Sequence, residues 1–405
     1  MIRGLFGAAG PSRHCRPAAP VTCGRPAPQL HRWTAPLRFV LLIAALCLCG
    51  PAVAGTLGSD SRNVGLRDLG SLGGRIANAE AVSADGTVVV GDILYAPLFR
   101  RPYYRAFRWS ARTGAQTLRD PAGQGTHAVA VSADGSVVAG WISILEPKAV
   151  AGTRVFRWTV AGGLQDLGTF GGASAIAAGI SADGTVIAGT IRFSQDAKGA
   201  AVSHAFRWTV SGGVQDLAEA YSQDSTAEAI SADGSTIVGR IGLPFSGRPF
   251  RWTASAGMQH LGVVGGTGAE ARRVSADGSV IAGSIHKEQD GVLRGYIFRW
   301  TAADGVQDLS ALGEAHAQGL SVDGTVMVGT YAIRPEDPNV RWYLQPVHGF
   351  RWTERDGLED IGTSDGRTPL RPSAESADGS VIVGDYGAGL GLPPNGIFVL
   401  TRQRR

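Results

Sequence analysis

The stretch SADGTVIAG, residues 181–189, decides the fold because close copies of it recur along the chain. Asp-Gly is the strongest short signal for a tight β-hairpin turn, and the apolar residues after it read as a strand. The copies begin at seven serines, spaced 49, 49, 50, 44, 46 and 55 residues apart: Ser83, Ser132, Ser181, Ser231, Ser275, Ser321 and Ser376. The chain therefore consists of seven units of one kind.

Two further phrases recur with the serines. Phe-Arg-Trp occurs in six units and decays to Phe398-Val399-Leu400 in the seventh, and Gln-Asp-Leu follows it, as in Gln165-Asp166-Leu167. Each unit thus reads as four short strands joined by turns. Four antiparallel strands in about 40 to 50 residues is the period of β-propeller blades. A β-solenoid is the main alternative, but its coils are shorter and need no tight turn at two fixed points.

The two ends of the repeat region predict ring closure. Residues 64–69 read as the fourth strand of a unit, although no first three strands precede them. Residues 397–401 read as the third strand of the last unit, which has no fourth strand after it. Pairing them completes a seventh blade and removes two exposed sheet edges. The sequence therefore predicts an all-β fold, a seven-bladed β-propeller of four-stranded antiparallel blades, closed by its N- and C-terminal strands and forming a single domain over residues 55–405.

Residues 1–54 read as a cleaved signal peptide. Arginines without acidic residues precede an apolar run over 37–48, and Ala52-Val53-Ala54 suits signal peptidase. This predicts a mature chain from Gly55, secreted to the cell exterior or the periplasm. A membrane anchor is less favoured because the run is shorter than the roughly 18 residues of a span. A lipoprotein site at Cys49 is less favoured because Leu48 is bulky.

Removal of this leader changes the composition. Without its six arginines, 32 basic residues face 34 acidic ones, a net charge of −2, and none of the four cysteines remains. These numbers indicate no nucleic-acid partner, no disulfide and no thiolate metal site. One carboxylate per Asp-Gly turn falls short of the six or more oxygens that Ca²⁺ takes, so these aspartates are interpreted as turn residues. We expect no cofactor, no metal, no membrane span and a monomer.

The phrase His204-Ala205-Phe206-Arg207-Trp208 and its copies resemble the HAF repeats of predicted extracellular bacterial proteins. The resemblance covers nearly all of residues 55–405 and implies export rather than a particular chemistry. The histidine is replaced by Arg105, Arg154 and Arg248 in other units, which argues against a repeated ligand. The Ser-Ala-Asp-Gly turn is similar to turns of WD-type propellers and to the Asp-box of sialidases, where the motif is structural.

Residues that recur in every unit are assigned to the scaffold. The Phe and Trp of Phe-Arg-Trp share a strand face and are expected to fill the space between blades. Asp follows the Arg nine residues later in four units, as in Arg207 and Asp216. With a two-residue turn, these would be cross-strand ion pairs that fix the register.

Candidate recognition residues lie where the units differ. The connections from second to third strand in the first and sixth units carry aromatic residues and arginines, which binding hot spots favour. They are Tyr95, Arg100, Arg101, Tyr103, Tyr104, Tyr331, Arg334, Trp342 and Tyr343. The alternative is that these aromatics only pack their own loops.

A second candidate surface surrounds the expected channel. The position three before each repeat serine varies, reading Glu80, Val129, Ala178, Glu228, Arg272, Gln318 and Ser373, and His127 and His316 stand five before theirs. Differing polar groups around one axis can hold a ligand, or form a solvated rim.

Three function classes remain open. The preferred one is a secreted, non-catalytic binding or surface-interaction module for a glycan or protein ligand. The second is a glycoside hydrolase or lyase using the channel mouth, with Glu80 and Glu228 as the carboxylate pair. The third is a passive envelope or matrix component. We find no phosphate-binding loop, no His-Glu-x-x-His motif and no nucleophile elbow in the sequence, which leaves no catalytic residue assigned.

Overall fold

The computed structural model describes residues 64–98, 101–144, 152–193, 202–218, 224–262, 265–332, 347–362, 370–386 and 396–402. They form seven four-stranded antiparallel sheets, which confirms the predicted seven-bladed β-propeller. Within these ranges, no helix is long and apolar enough to cross a membrane.

The blades follow the chain order. Strand β1 is Val64–Gly70, and blade 1 consists of β2 Ile76–Val82, β3 Val88–Tyr95, β4 Tyr103–Ser110 and β5 Gly114–Leu118. Blade 2 consists of β6 Gly125–Val131, β7 Val137–Ile144, β8 Gly152–Thr159 and β9 Gly163–Gly168. Blade 3 consists of β10 Ser174–Ile180, β11 Val186–Arg192, β12 Ser203–Thr209 and β13 Gly213–Asp216. Blade 4 consists of β14 Ser225–Ile230, β15 Thr236–Ile241, β16 Arg248–Thr253 and β17 Gly257–His260.

The remaining blades repeat this plan. Blade 5 consists of β18 Gly268–Val274, β19 Val280–Gln289, β20 Val292–Thr301 and β21 Gly305–Asp308, followed by a short 3₁₀ helix, Ser310–Leu312. Blade 6 consists of β22 Ala315–Leu320, β23 Val326–Ala332, β24 Val347–Thr353 and β25 Gly357–Gly362. Blade 7 consists of β26 Leu370–Glu375, β27 Val381–Tyr386, β28 Gly396–Arg402 and, as its outer strand, β1.

Blade 7 closes the ring as predicted from the two ends of the repeat region. Strand β1 pairs antiparallel with β28 through six residue pairs, from Val64 opposite Arg402 to Gly70 opposite Ile397. The outer edge of β28 is therefore covered by the first strand of the repeat region, which leaves this blade with four strands like the others.

A ring of backbone hydrogen bonds connects all seven blades near the axis. The residue after each repeat serine donates its amide to the carbonyl of its counterpart in the next blade, at 2.7 to 3.1 Å. The chain of donors runs Ala84, Ala133, Ala182, Ala232, Ala276, Val322, Ala377 and back to Ala84. Backbones of successive blades approach this closely only where the blades converge. The first strand of each unit is therefore the innermost one.

The repeat serine and aspartate build the turn that leads from first to second strand. In blade 3, Ser181 Oγ donates to Asp183 Oδ1 at 2.5 Å and accepts the Val186 amide at 2.9 Å. The Thr185 amide also donates to Asp183 Oδ1 at 3.0 Å. The hydrogen bond from Ser181, followed by those from Thr185, lowers the pKa of Asp183. The interpretation of these aspartates as turn residues is confirmed.

The repeat phenylalanines form the core between blades. All seven are fully buried, and Phe206 packs against Val137 and Val155 of blade 2. A Cβ on Gly189 would lie 2.6 Å from the Phe206 ring, so the second strand requires glycine at this point. Four of the repeat tryptophans are buried as expected, whereas Trp208 and Trp300 are only partly buried.

The predicted pairs of Arg and Asp were wrong by one residue. In blade 3, Arg207 lies opposite Gln215, because three residues separate the strand ends at Thr209 and Gly213 instead of two. Gly213 adopts φ +68°, a left-handed conformation that glycine accepts readily. Asp216 instead bonds His204 at 2.6 Å.

The motif histidine therefore has a structural partner. The same site is filled by Arg154 with Asp166 at 3.1 Å and by His348 with Asp360 at 2.9 Å. The Arg of Phe-Arg-Trp reaches the next blade, as where Arg157 Nε donates to the Gly184 carbonyl at 3.0 Å.

Candidate ligand-binding site in the central channel

A β-bulge interrupts the first strand of every blade at the same place. In blade 1 the register shifts between Ala79 and Ala81, which leaves Glu80 unpaired. The bulged residues are those predicted from the offset to the serine: Glu80, Val129, Ala178, Glu228, Arg272, Gln318 and Ser373. We call these seven residues the bulge ring. Because a bulge re-aims its side chain and the strands are innermost, the bulge ring lines the channel.

The positive wall of the channel lies on blades 4 and 5. Glu270 is only 5 % exposed and accepts hydrogen bonds from Arg240, at 3.0 Å, and from Arg272. Burial alone would raise the pKa of Glu270, but the neighbouring His286, whose Nε2 lies 3.6 Å from Glu270 Oε1, and the charge of Arg272 outweigh it and hold the pKa at about 2. Glu270 thus stays ionised and fixes both arginines. The Arg272 side chain remains 38 % exposed to the channel.

The negative wall lies on blades 7 and 1. Glu80 is exposed to solvent, yet the protein atoms around its carboxyl remove part of the hydration that the charged form needs. This confinement, followed by repulsion from Asp92 and Asp385, raises the pKa of Glu80 to about 7. Burial also raises the pKa of Asp385 to about 6. Blades 1 and 5 are three steps apart in a ring of seven, so Glu80 lies across the channel from Arg272.

Glu228 lies on blade 4, three blades from Glu80. Burial raises the pKa of Glu228 although Arg272 counteracts it. The two nominated carboxyls therefore lie on different walls, and each has a higher proton affinity than a free glutamate.

His127 bridges blades 1 and 2. Its Nδ1 lies 2.6 Å from Asp92 Oδ2, and Asp92 Oδ1 accepts the Ala128 amide at 3.0 Å. Trp141 stacks on the imidazole with centroids 3.7 Å apart, and Tyr104 lies 4.7 Å away. The ring is thus held at one nitrogen and by two aromatic neighbours. The other predicted histidine, His316, is exposed and packs over Gly295, where a Cβ would lie 2.6 Å from its ring.

Arg273 is a channel residue that the sequence interpretation missed. The position after the bulge is Ala or Gly in the other six units, so the arginine is the exception. It donates to the Gln318 carbonyl of blade 6 and, at 2.7 Å, to the Arg272 carbonyl. The positive charge of Arg273 counteracts the raised pKa of both Glu80 and Glu228, which places it between the two walls. Asp92, Arg240, Glu270 and Asp385 were missed as well.

The aromatic loop candidates lie mostly in strands. Tyr95 ends β3 and Tyr103 begins β4, and their rings stack at 5.6 Å beside a shallow groove of about 300 Å³. Arg101 is exposed beside them. Tyr331 lies in β23 and donates its hydroxyl to Asp360 at 3.1 Å, which assigns it to the blade 6 scaffold. Arg100, Arg334, Trp342 and Tyr343 lie outside the described residues.

Comparison with known proteins finds propellers. No family model matches the chain, and no curated protein matches it. The β-propeller domain of the Trilobed protease from Pyrococcus furiosus, described as having an open velcro topology, is similar with TM-score 0.55 and 11% identity over 81% of this chain and 94% of that chain. An acylaminoacyl peptidase from Pyrococcus horikoshii gives TM-score 0.54 and 9% identity over 82% of this chain and 53% of that chain.

TolB from Acinetobacter baumannii is also similar, with TM-score 0.42 and 13% identity. The alignment covers 80% of this chain, and the chain spans 65% of the length of TolB. At such identities the likeness to solved structures shows the propeller fold alone.

Proposed function

We propose that the protein is an exported, non-catalytic binding module that receives a glycan or protein ligand at its central channel. One observation carries the proposal: the seven blades share one scaffold but differ in the bulge ring. The repeated serines and aspartates form the turns, and the repeated phenylalanines pack in the core. Glu80, Glu228 and Arg272 are not repeated, and they face the channel where a ligand has access.

The charge distribution supports a polar ligand. Arg272 on blade 5 offers hydrogen-bond donors, whereas Glu80 on blade 1 offers a carboxyl that is half-protonated near neutral pH. A ligand that carries both donors and acceptors, such as a sugar or a peptide segment, can bind both walls at once.

The test is an array of glycans and peptides probed with the purified protein. We expect at least one class to be retained, and we expect Glu80→Gln and Arg272→Gln to weaken its binding at least tenfold. Glu354→Gln is the matched control, because Glu354 is exposed between β24 and β25, outside the channel. If no array member binds, or if all three variants bind like wild type, the channel proposal is wrong and a passive envelope component becomes the better account.

A second candidate function is glycoside cleavage. The observation that favours it is the pKa of Glu80 near 7, since a general acid at neutral pH needs such a carboxyl. Turnover of a glycan from the array that is abolished by Glu80→Gln and unaffected by Glu354→Gln would establish it in place of simple binding.

A further inference from the structure

A loop of blade 4 displays two apolar side chains to solvent. The loop spans residues 242–247, between β15 and β16, at the end of the ring where the blades differ. Leu243 is 65 % exposed and Phe245 is 57 % exposed. Phe245 also has φ +66°, a left-handed conformation that is rare and costly for a bulky residue. The loop therefore carries a backbone penalty at a residue that gains little from burial.

Two other apolar residues share this conformation and show what normally offsets it. Phe170 has φ 54°, and its ring lies 4.9 Å from the core Phe206. Leu72 has φ 51° and packs against the core between blades 7 and 1. Their side chains recover the penalty through core contacts. Phe245 makes one ring contact, with His286, but stays 57 % exposed and therefore recovers less of the penalty, which is the pattern of a residue kept for recognition.

The loop is held in place by its neighbours. Arg240 Nε donates to the Gly242 carbonyl at 3.0 Å, and the same side chain is anchored on Glu270 of blade 5. The Ala269 amide donates to the Gly247 carbonyl at 2.9 Å. Gly268 lies so close to the loop that a Cβ there would be 2.4 Å from the Phe245 carbonyl oxygen. Phe245 is thus presented on a preorganised loop, which lowers the entropic cost of binding.

A positive charge lies beside the apolar pair, because Arg248 directly follows the loop and is exposed. The edge of the Phe245 ring meets the buried His286, 5.1 Å between centroids. We propose that the 242–247 loop docks a partner protein that offers an apolar pocket flanked by carboxylates, with Phe245 as the anchor. This proposal rests on the proposed binding function and adds the site and chemistry of a protein partner.

The first test is the thermal stability of Phe245→Gly. Glycine relieves the left-handed strain, and an exposed ring gives up little packing, so we expect Tm to stay the same or rise by about 1–3 °C. Phe170→Gly is the matched control with the same backbone conformation, and its Tm should fall by about 5 °C or more because its ring packs against the core Phe206. If Phe245→Gly loses as much as Phe170→Gly, the side chain is structural and the proposal is overturned.

The second test uses a random peptide library displayed on phage, panned against the wild-type protein. We expect enriched peptides with apolar residues beside Asp or Glu, and at least tenfold weaker binding of these peptides to Phe245→Gly. Equal binding to both proteins overturns the proposal. Binding to phosphatidylcholine vesicles with no peptide enrichment also overturns it, because the occupant would then be a membrane. A dimer of the wild-type protein that Phe245→Gly dissociates overturns it as well, because the occupant would then be a second copy of the chain.

The channel proposal and the loop proposal fail separately. An array ligand that is lost in Glu80→Gln but retained in Phe245→Gly, with no peptide enriched, contradicts the loop proposal alone. Peptides that need Phe245, together with an array that yields nothing, contradict the channel proposal alone.

Discussion

Deletion of β1, residues 64–70, removes the strand that closes the ring. The strand pairs with β28 through six residue pairs, and an antiparallel ladder holds about one backbone hydrogen bond per pair. At a net 0.5 to 1.5 kcal/mol each, about six bonds contribute roughly 3–9 kcal/mol. Leu66 and Leu69 are half-buried against the neighbouring cores, and each adds about 1 kcal/mol. Whole proteins have only about 5–15 kcal/mol of stability, so the deletion should remove most of it.

Urea denaturation followed by tryptophan fluorescence measures this loss. We expect a much lower midpoint for the truncated chain, and aggregation by size-exclusion chromatography, because the uncovered edge of β28 can pair with other molecules. A synthetic peptide of residues 64–70, added in excess, should restore part of the midpoint by occupying the vacant edge. If the truncated chain unfolds at the wild-type midpoint, the reasoning about closure is refuted.

Three further predictions concern the core, the channel and the leader. Phe206→Ala should cost about 3–5 kcal/mol in urea denaturation, because the ring is fully buried, and Trp208→Ala should cost less, because Trp208 is only partly buried; equal costs would contradict the assigned core. The pKa of Glu80 rises from 4.5 to about 7 on folding, so the folded state keeps a proton that the unfolded chain has released, and stability falls as pH rises through this window. Glu80→Gln should therefore unfold at higher urea than wild type at pH 8 and like wild type near pH 4.5, whereas a pH-independent difference would place Glu80 outside the confined channel. N-terminal sequencing of exported protein should begin at or near Gly55, and a retained leader would contradict the predicted cleavage.

The blade plan could be predicted from sequence because hairpins are local. The Asp-Gly turn fixes two strands at each repeat serine, and the counting of strands at both ends predicts closure. The outer hairpin was predicted one residue out of register. A separation of nine residues between Arg207 and Asp216 fits a two-residue turn, but the loop has three residues and places Gly213 in the left-handed region.

The candidate site was predicted only in part, because many of its contacts join residues on neighbouring blades. The bulge ring was found because each member stands at a fixed offset from a repeat serine. Asp92 with His127, and Arg240 with Glu270, join residues 35 and 30 positions apart on neighbouring blades. No local spacing sets such contacts, since they depend on how blades pack. Phe245 was missed because backbone strain leaves no mark in the sequence.

The central claim is that repeated residues hold the fold while the bulge ring binds the ligand. Calorimetric titration of the array-selected ligand into two matched carboxylate-to-amide variants tests it most directly. Asp183 lies in a repeat turn, where it accepts the Ser181 hydroxyl, so Asp183→Asn should lower Tm and leave Kd unchanged. Glu80→Gln should leave Tm at neutral pH unchanged or higher and raise Kd at least tenfold. The opposite pattern, with binding lost in Asp183→Asn and kept in Glu80→Gln, would contradict the account.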